Sequence, residues 1–166
     1  MSQANFRVGL LAYGAIGDEH NMAIKATPGL TLSAVCDTNP ERLTAALQIS
    51  PGAKTFADAD AMLAEGEIDL VVISTPPNSH YKWAKQALSL GLHVMLEKPM
   101  ALTTQECDEL MELAKKNGAL LVVYQNRRYD ADYLTIKHLI ETDQIGDLFH
   151  YESFVGGYSK PCSYWH

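Results

Sequence analysis

The sequence predicts an α/β protein built on a doubly wound parallel sheet, and three observations carry that prediction. Six short apolar runs, each of strand length, alternate with stretches of helical periodicity along residues 7–124. The connections between them are short and rich in glycine, proline and capping residues. The first run passes straight into a tight glycine turn, AYGAIG, ahead of a helix, as a buried parallel strand feeding a crossover does.

Each element has its own justification. Residues 7–11 (RVGLL) form the first strand, and 16–26 the helix behind the glycine turn. Residues 31–36 (TLSAVC) are the second strand, followed over 40–47 by a helix with Pro40 at an early position, where its missing N–H costs nothing. A short third strand over 54–56 precedes a helix over about 58–65. Residues 70–74 (LVVIS) are the clearest strand, a continuous apolar run expected where both faces are covered. Asn78 or Ser79 is the expected N-cap of a helix over 80–90, which Gly91 closes. After a strand over 93–96, Thr103 and Glu106 have capping-box spacing and open a helix to about Asn117, with Gly118 behind it. Residues 120–124 are the sixth strand, so the first domain is placed at 1–124.

Residues 125–166 read as the first elements of a second, α+β domain whose remainder is absent. Asp130 is expected to cap a helix over 131–141, with apolar positions Tyr133, Leu134, Ile136, Leu139 and Ile140 at helical spacing. Gly146 leads into a strand-like stretch over 148–155, and the chain ends on PCSYWH with no closing element.

Composition excludes several functions. Apolar residues at 47% and charged residues at 20% are ordinary for a globular protein. A net charge of −7, with Arg127 and Arg128 the only adjacent arginines, argues against nucleic acid as the main partner. The apolar runs are far too short to span a membrane. The segment MSQANFR lacks the apolar core of a signal peptide, so a cytoplasmic address is expected. Cys36, Cys107 and Cys162 have neither zinc spacing nor a CxxC pair, which suits reduced thiols, with Cys36 a packing residue and no metal bound.

The candidate chemistry gathers in the loops after strands. Gly14 allows backbone amides to approach a phosphate, and Gly17 lets the next helix pack against the strand. Ala12 stands where the usual dinucleotide fingerprint has its first glycine, and is expected at negative φ. Tyr13, Ala15 and Ile16 complete the turn. Asp37, about twenty residues on, can accept both ribose hydroxyls of an adenosine and would repel a 2′-phosphate, favouring NAD over NADP. Arg42 could serve such a phosphate, but as a solvated helix charge it has the simpler explanation. In the rigid loop STPPNSH, Ser74, Thr75, Pro76, Asn78 and His80 are candidate cofactor contacts at the carboxyl edge of the sheet. Next come Glu97, able to hold the nicotinamide ribose, and Lys98, able to polarise a substrate hydroxyl. On spacing alone that pair is equally an exposed surface pair.

An AxGxxG turn after strand one, an acid after strand two, TPPNSH after strand four and EKP after strand five resemble, in that order, the Gfo/Idh/MocA oxidoreductase family. The segment VVYQNRRYDADYLTIKHLI is similar to the branch that includes NADP-linked scyllo-inositol dehydrogenases, and the resemblance runs from Arg7 to about Ser153. EKP and QNRR-D are its specific parts. The resemblance implies that Lys98 is the catalytic-site lysine and Glu97 a cofactor ribose ligand, with Asn126 and Arg127 near the nicotinamide or substrate. Lys98–Pro99 is a candidate cis peptide.

Two departures matter: Ala12 replaces the common glycine, and Asp37 stands where the NADP-linked relatives lack an acid, so their cofactor choice does not transfer. The family's catalytic aspartate and histidine come from the second domain, and no such pair precedes residue 166, where His150 and His166 are poor stand-ins. The implied activity is NAD-dependent oxidation of a secondary alcohol on a sugar, cyclitol or related polyol, with NADP also possible and a homo-oligomer at full length. An NAD-dependent glycosidase working by transient oxidation and a non-catalytic NAD-sensing regulator are the alternatives.

Overall fold

A computed structural model describes residues 5–156 of the chain. They form two compact units, divided between Gln125 and Asn126. The first contains β1 (Phe6–Leu11), α1 (Gly17–Ala26), β2 (Leu30–Cys36), α2 (Pro40–Ile49), β3 (Lys54–Phe56), α3 (Ala59–Glu65), β4 (Leu70–Ile73), α4 (His80–Ser89), β5 (His93–Leu96), α5 (Thr104–Asn117) and β6 (Leu121–Val123). All six strands are parallel, in the order β3-β2-β1-β4-β5-β6. The order reverses between β1 and β4, so the loops after these strands leave in opposite directions and open a crevice at the carboxyl edge.

The period of two along the strands builds a core on each face. Val8, Leu10, Val35 and Val72 pack with Ile24 and Ala46 of α1 and α2. Leu11, Val71, Ile73, Val94 and Leu96 pack with Met62, Leu88 and Leu110 of α3, α4 and α5. Cys36 is buried in this second layer, and burial, with Asp37 next to it, pushes its thiol up to about 11.

The local signals explain most helix ends. Asn39 and Asp58 accept amide hydrogen bonds from Glu41 and Ala61 at the starts of α2 and α3. Thr103 and Glu106 form a reciprocal capping box, and Gly118 ends α5 at φ 65°. At α4 the expectation is corrected: neither Asn78 nor Ser79 caps it. A 3-10 turn over Pro77–Ser79 runs directly into the helix, and the Ser79 hydroxyl instead donates to the Pro76 carbonyl and pairs with the Thr75 hydroxyl, both at 2.8 Å.

The second unit holds a 3-10 turn, Asn126–Tyr129, and α6, Ala131–Glu141. Asp130 occupies the N-cap position without capping, because its carboxylate accepts from Arg127 Nη1 at 2.8 Å. The strand expected over 148–155 is absent from the described residues. A strand exists only by pairing its backbone, and no described strand pairs with this stretch. Cys162, His166 and the closing PCSYWH lie outside the described residues. Among those described, no helix is long and apolar enough to cross a membrane.

Candidate functional site

Strand register assembles the site. Cys36, Leu11, Ile73, Leu96 and Val123 stand side by side across five strands. The residues that follow them, Asp37, Ala12, Ser74, Glu97 and Tyr124, therefore form one row along the carboxyl edge. Backbone hydrogen bonds carry the ladder one step into that row: Ala12 to Cys36, Ser74 to Leu11, Glu97 to Ile73 and Tyr124 to Leu96, all at 2.8–3.0 Å.

The glycine turn departs from expectation at Ala12, whose φ is +72° and not negative. Hydrogen bonds from distant elements impose this left-handed conformation: the Ala12 amide donates to Cys36, and its carbonyl accepts from Ser74 Oγ at 2.7 Å. A left-handed conformation costs an alanine about 1–2 kcal/mol, while glycine loses about 0.4–1 kcal/mol more chain freedom on folding. Ala12→Gly is thus expected to stabilise the chain by about 0.5–1 kcal/mol. Urea denaturation checks this, and a loss of stability would contradict it.

Tyr13 turns inward. Its hydroxyl donates to Asp18 Oδ1 at 2.6 Å and accepts from Asn21 Nδ2 at 3.1 Å. Burial first, and Asp18 second, push the phenol up to about 12. A Cβ on Gly17 would lie 2.8 Å from this ring, so Gly17 makes room for Tyr13. A Cβ on Gly14 would meet nothing within 4 Å, so the outer side of the turn is open. Ile16 at the start of α1 makes no side-chain cap, and Ala15 is exposed beside it. Open backbone at an uncapped helix start is a donor set suited to a pyrophosphate.

Asp37 is only 5% exposed. Its Oδ2 accepts the Tyr13 amide and its Oδ1 the Asn39 amide, both at 2.8 Å. Arg42 is not simply a solvated helix charge, since its Nη1 lies 3.4 Å from Asp37 Oδ2. The carboxylate is thus preset beside the turn, as a ribose acceptor needs to be. These groups fit the two halves of a dinucleotide's sugar–phosphate chain.

In the loop after β4, Pro76 and Asn78 are exposed at the rim and Thr75 is half-buried. His80 is corrected from a cofactor contact to an internal tie. It is wholly buried, with Nδ1 2.7 Å from the Pro99 carbonyl and Nε2 2.8 Å from the Thr75 carbonyl. Glu97 is 8% exposed, with Oε1 2.9 Å from His20 Nε2 and Oε2 accepting the Lys98 amide at 3.2 Å. Lys98 itself is exposed, and its bond to Pro99 is cis.

Sequence reasoning missed His20, Asn21 and Tyr124. The signal lay in α1: Gly17, His20, Asn21 and Ile24 repeat at helical spacing on its buried face, so two polar side chains had to find partners inside. Asn126 and Arg127 belong to the second unit, where Arg127 pairs with Asp130.

A family model described as an oxidoreductase family with an NAD-binding Rossmann fold matches residues 6–125. An uncharacterized oxidoreductase of Schizosaccharomyces pombe is 47% identical over 105 residues, which are 63% of this chain and 28% of that protein. The scyllo-inositol 2-dehydrogenase (NADP(+)) of Bacillus subtilis is 32% identical over 147 residues, 88% of this chain and 40% of that one. The crystal structure of the WlbA dehydrogenase from Bordetella pertussis in complex with NADH and UDP-GlcNAcA superposes with a TM-score of 0.78 at 33% identity, covering 88% of this chain and 42% of that chain. The chain spans less than half the length of these relatives. With the family match covering most of its length, and the ordered row of Asp37, Ala12, Ser74 and Glu97 beneath it, the chain belongs to the Gfo/Idh/MocA oxidoreductases.

Proposed function

We propose that this chain binds a nicotinamide dinucleotide, NAD in preference to NADP, and serves the reversible oxidation of a secondary alcohol on a sugar, cyclitol or related polyol. The observation that carries the reading is the shared edge: an open Gly14 turn, a buried Asp37 carboxylate and an exposed Lys98 beside a buried Glu97 all follow strand ends in register. Residues 1–124 are the dinucleotide domain on this reading, and residues 125–166 begin a domain for substrate and self-association. Names of similar proteins support the substrate class, since one is a scyllo-inositol 2-dehydrogenase and another is held with NADH and a nucleotide sugar.

Each residue has a role. The backbone at Gly14, Ala15 and Ile16 receives pyrophosphate at the start of α1, and Asp37 accepts the adenosine ribose hydroxyls. Ser74, Thr75, Pro76 and Asn78 wall the crevice, and Glu97 accepts from the nicotinamide ribose. When bound, the cofactor supplies the hydride acceptor. Lys98 presents an ammonium Nζ to the reacting hydroxyl and stabilises the oxygen as its proton passes to a separate base.

Calorimetric titration with NAD and NADP tests the cofactor assignment, and tighter binding of NADP would overturn it. Asp37→Ala is expected to narrow the preference by weakening NAD about tenfold or more, the usual worth of hydrogen bonds to a charged acceptor. The same variant removes the repulsion of a 2′-phosphate and leaves Arg42 without its carboxylate partner.

A further inference from the structure

The turn that carries Lys98 is anchored at both ends by buried histidines from different helices. On one side, α1 brings His20 Nε2 to within 2.9 Å of Glu97 Oε1, while the second oxygen of the same carboxylate accepts the Lys98 amide. His20 is 4% exposed, and its ring lies 4.9 Å from that of Tyr124 at the end of β6, inclined at 59°. On the other side, the first residue of α4, His80, sets one ring nitrogen on the Pro99 carbonyl and the other on the Thr75 carbonyl.

A buried carboxylate is costly unless hydrogen-bonded, so Glu97 is held where its donors are. With a carboxylate as partner, His20 carries its proton on Nε2 and donates. Removing that donor obliges the carboxylate to rotate in search of another, and the Lys98 amide is bonded to the group that rotates.

We infer that His20 is a positioning residue for Lys98: it fixes the Glu97 carboxylate, which holds the Lys98 backbone, while His80 pins the far end of the same turn. His20 lies one helical turn beyond Gly17, so the element whose start faces the proposed phosphate site also sets the turn that bears the proposed catalytic lysine. What Glu97 and Lys98 do there rests on the proposed function; the anchoring itself does not.

Two substitutions separate donation from packing. His20→Phe keeps a ring against Tyr124 without a donor, and His20→Gln keeps a donor without the ring. The readouts are the Lys98 amide resonance in the ¹⁵N–¹H NMR spectrum of the chain and the affinity for NAD by calorimetry. His20→Phe is expected to displace the Lys98 amide resonance and weaken NAD about tenfold, and His20→Gln to restore both most of the way. If the two variants behave alike, or the Lys98 amide stays in place in His20→Phe, the inference is overturned. Should His20→Phe fail to fold, His20→Ala takes its place in the same comparison. The resonance is read without cofactor. Failure of the parent chain to bind NAD would therefore sink the proposed function and leave the anchoring to be decided by the spectrum.

Discussion

Replacing Asn21 by alanine is expected to lower the stability of the first unit by about 3 kcal/mol, from unpaired buried groups and a new cavity together. Asn21 is wholly buried. Its Nδ2 donates to Tyr13 Oη at 3.1 Å and to the Ala46 carbonyl at 3.0 Å, and its Oδ1 accepts from Ser50 Oγ at 2.6 Å. Alanine abandons all three partners and leaves a void between α1 and α2. Urea unfolding of the variant measures the loss. A change below about 1 kcal/mol, the net worth of a single ordinary hydrogen bond, would show that the network is dispensable. Tyr13→Phe breaks only the hydroxyl contacts and is expected to cost less.

Replacing Lys98 by alanine is expected to lower kcat of the enzyme by about 10²–10³, the range for loss of one donor to a developing oxyanion. Affinity for the dinucleotide is expected to change by less than about threefold, because on the proposed reading Lys98 acts on the reacting hydroxyl and Glu97 on the ribose. Arginine is expected to rescue poorly, since its broad planar fork cannot set a compact point charge on the reacting oxygen as the lysine ammonium does. Pre-steady-state measurement of the hydride step, beside a cofactor titration, checks the split. Equal losses in both would mark a structural lysine and remove it from the chemistry.

The contrast between what the sequence disclosed and what it hid is physical. β4 was legible because a strand covered on both faces is written as an unbroken apolar run. α5 was legible because both of its end signals are local, Thr103 with Glu106 at one end and Gly118 at the other. Long-range partners decided the rest. Ala12 takes a left-handed φ because Cys36 and Ser74, from two other strand ends, hold its amide and carbonyl. His80 looked like a ligand because its two carbonyl partners are invisible in a linear motif. The chemistry-bearing residues Asp37, Glu97 and Lys98 were readable as types after strands. Their common edge follows only from the register, and the failed strand over 148–155 shows that an apolar pattern without a pairing partner is not a strand.

That register also governs which changes of length the protein can absorb. The row from Asp37 to Tyr124 is a single residue deep, so deleting one residue inside Leu70–Ile73 would draw Ser74 back into the sheet. Every side chain beyond the cut would then point to the opposite face. Insertions at the other end of the strands, for instance at the exposed Gly52 before β3 or Gly91 before β5, leave the row where it is. Tags, labels or whole inserted domains therefore belong at that far edge, where loop length can drift while the crevice keeps its geometry.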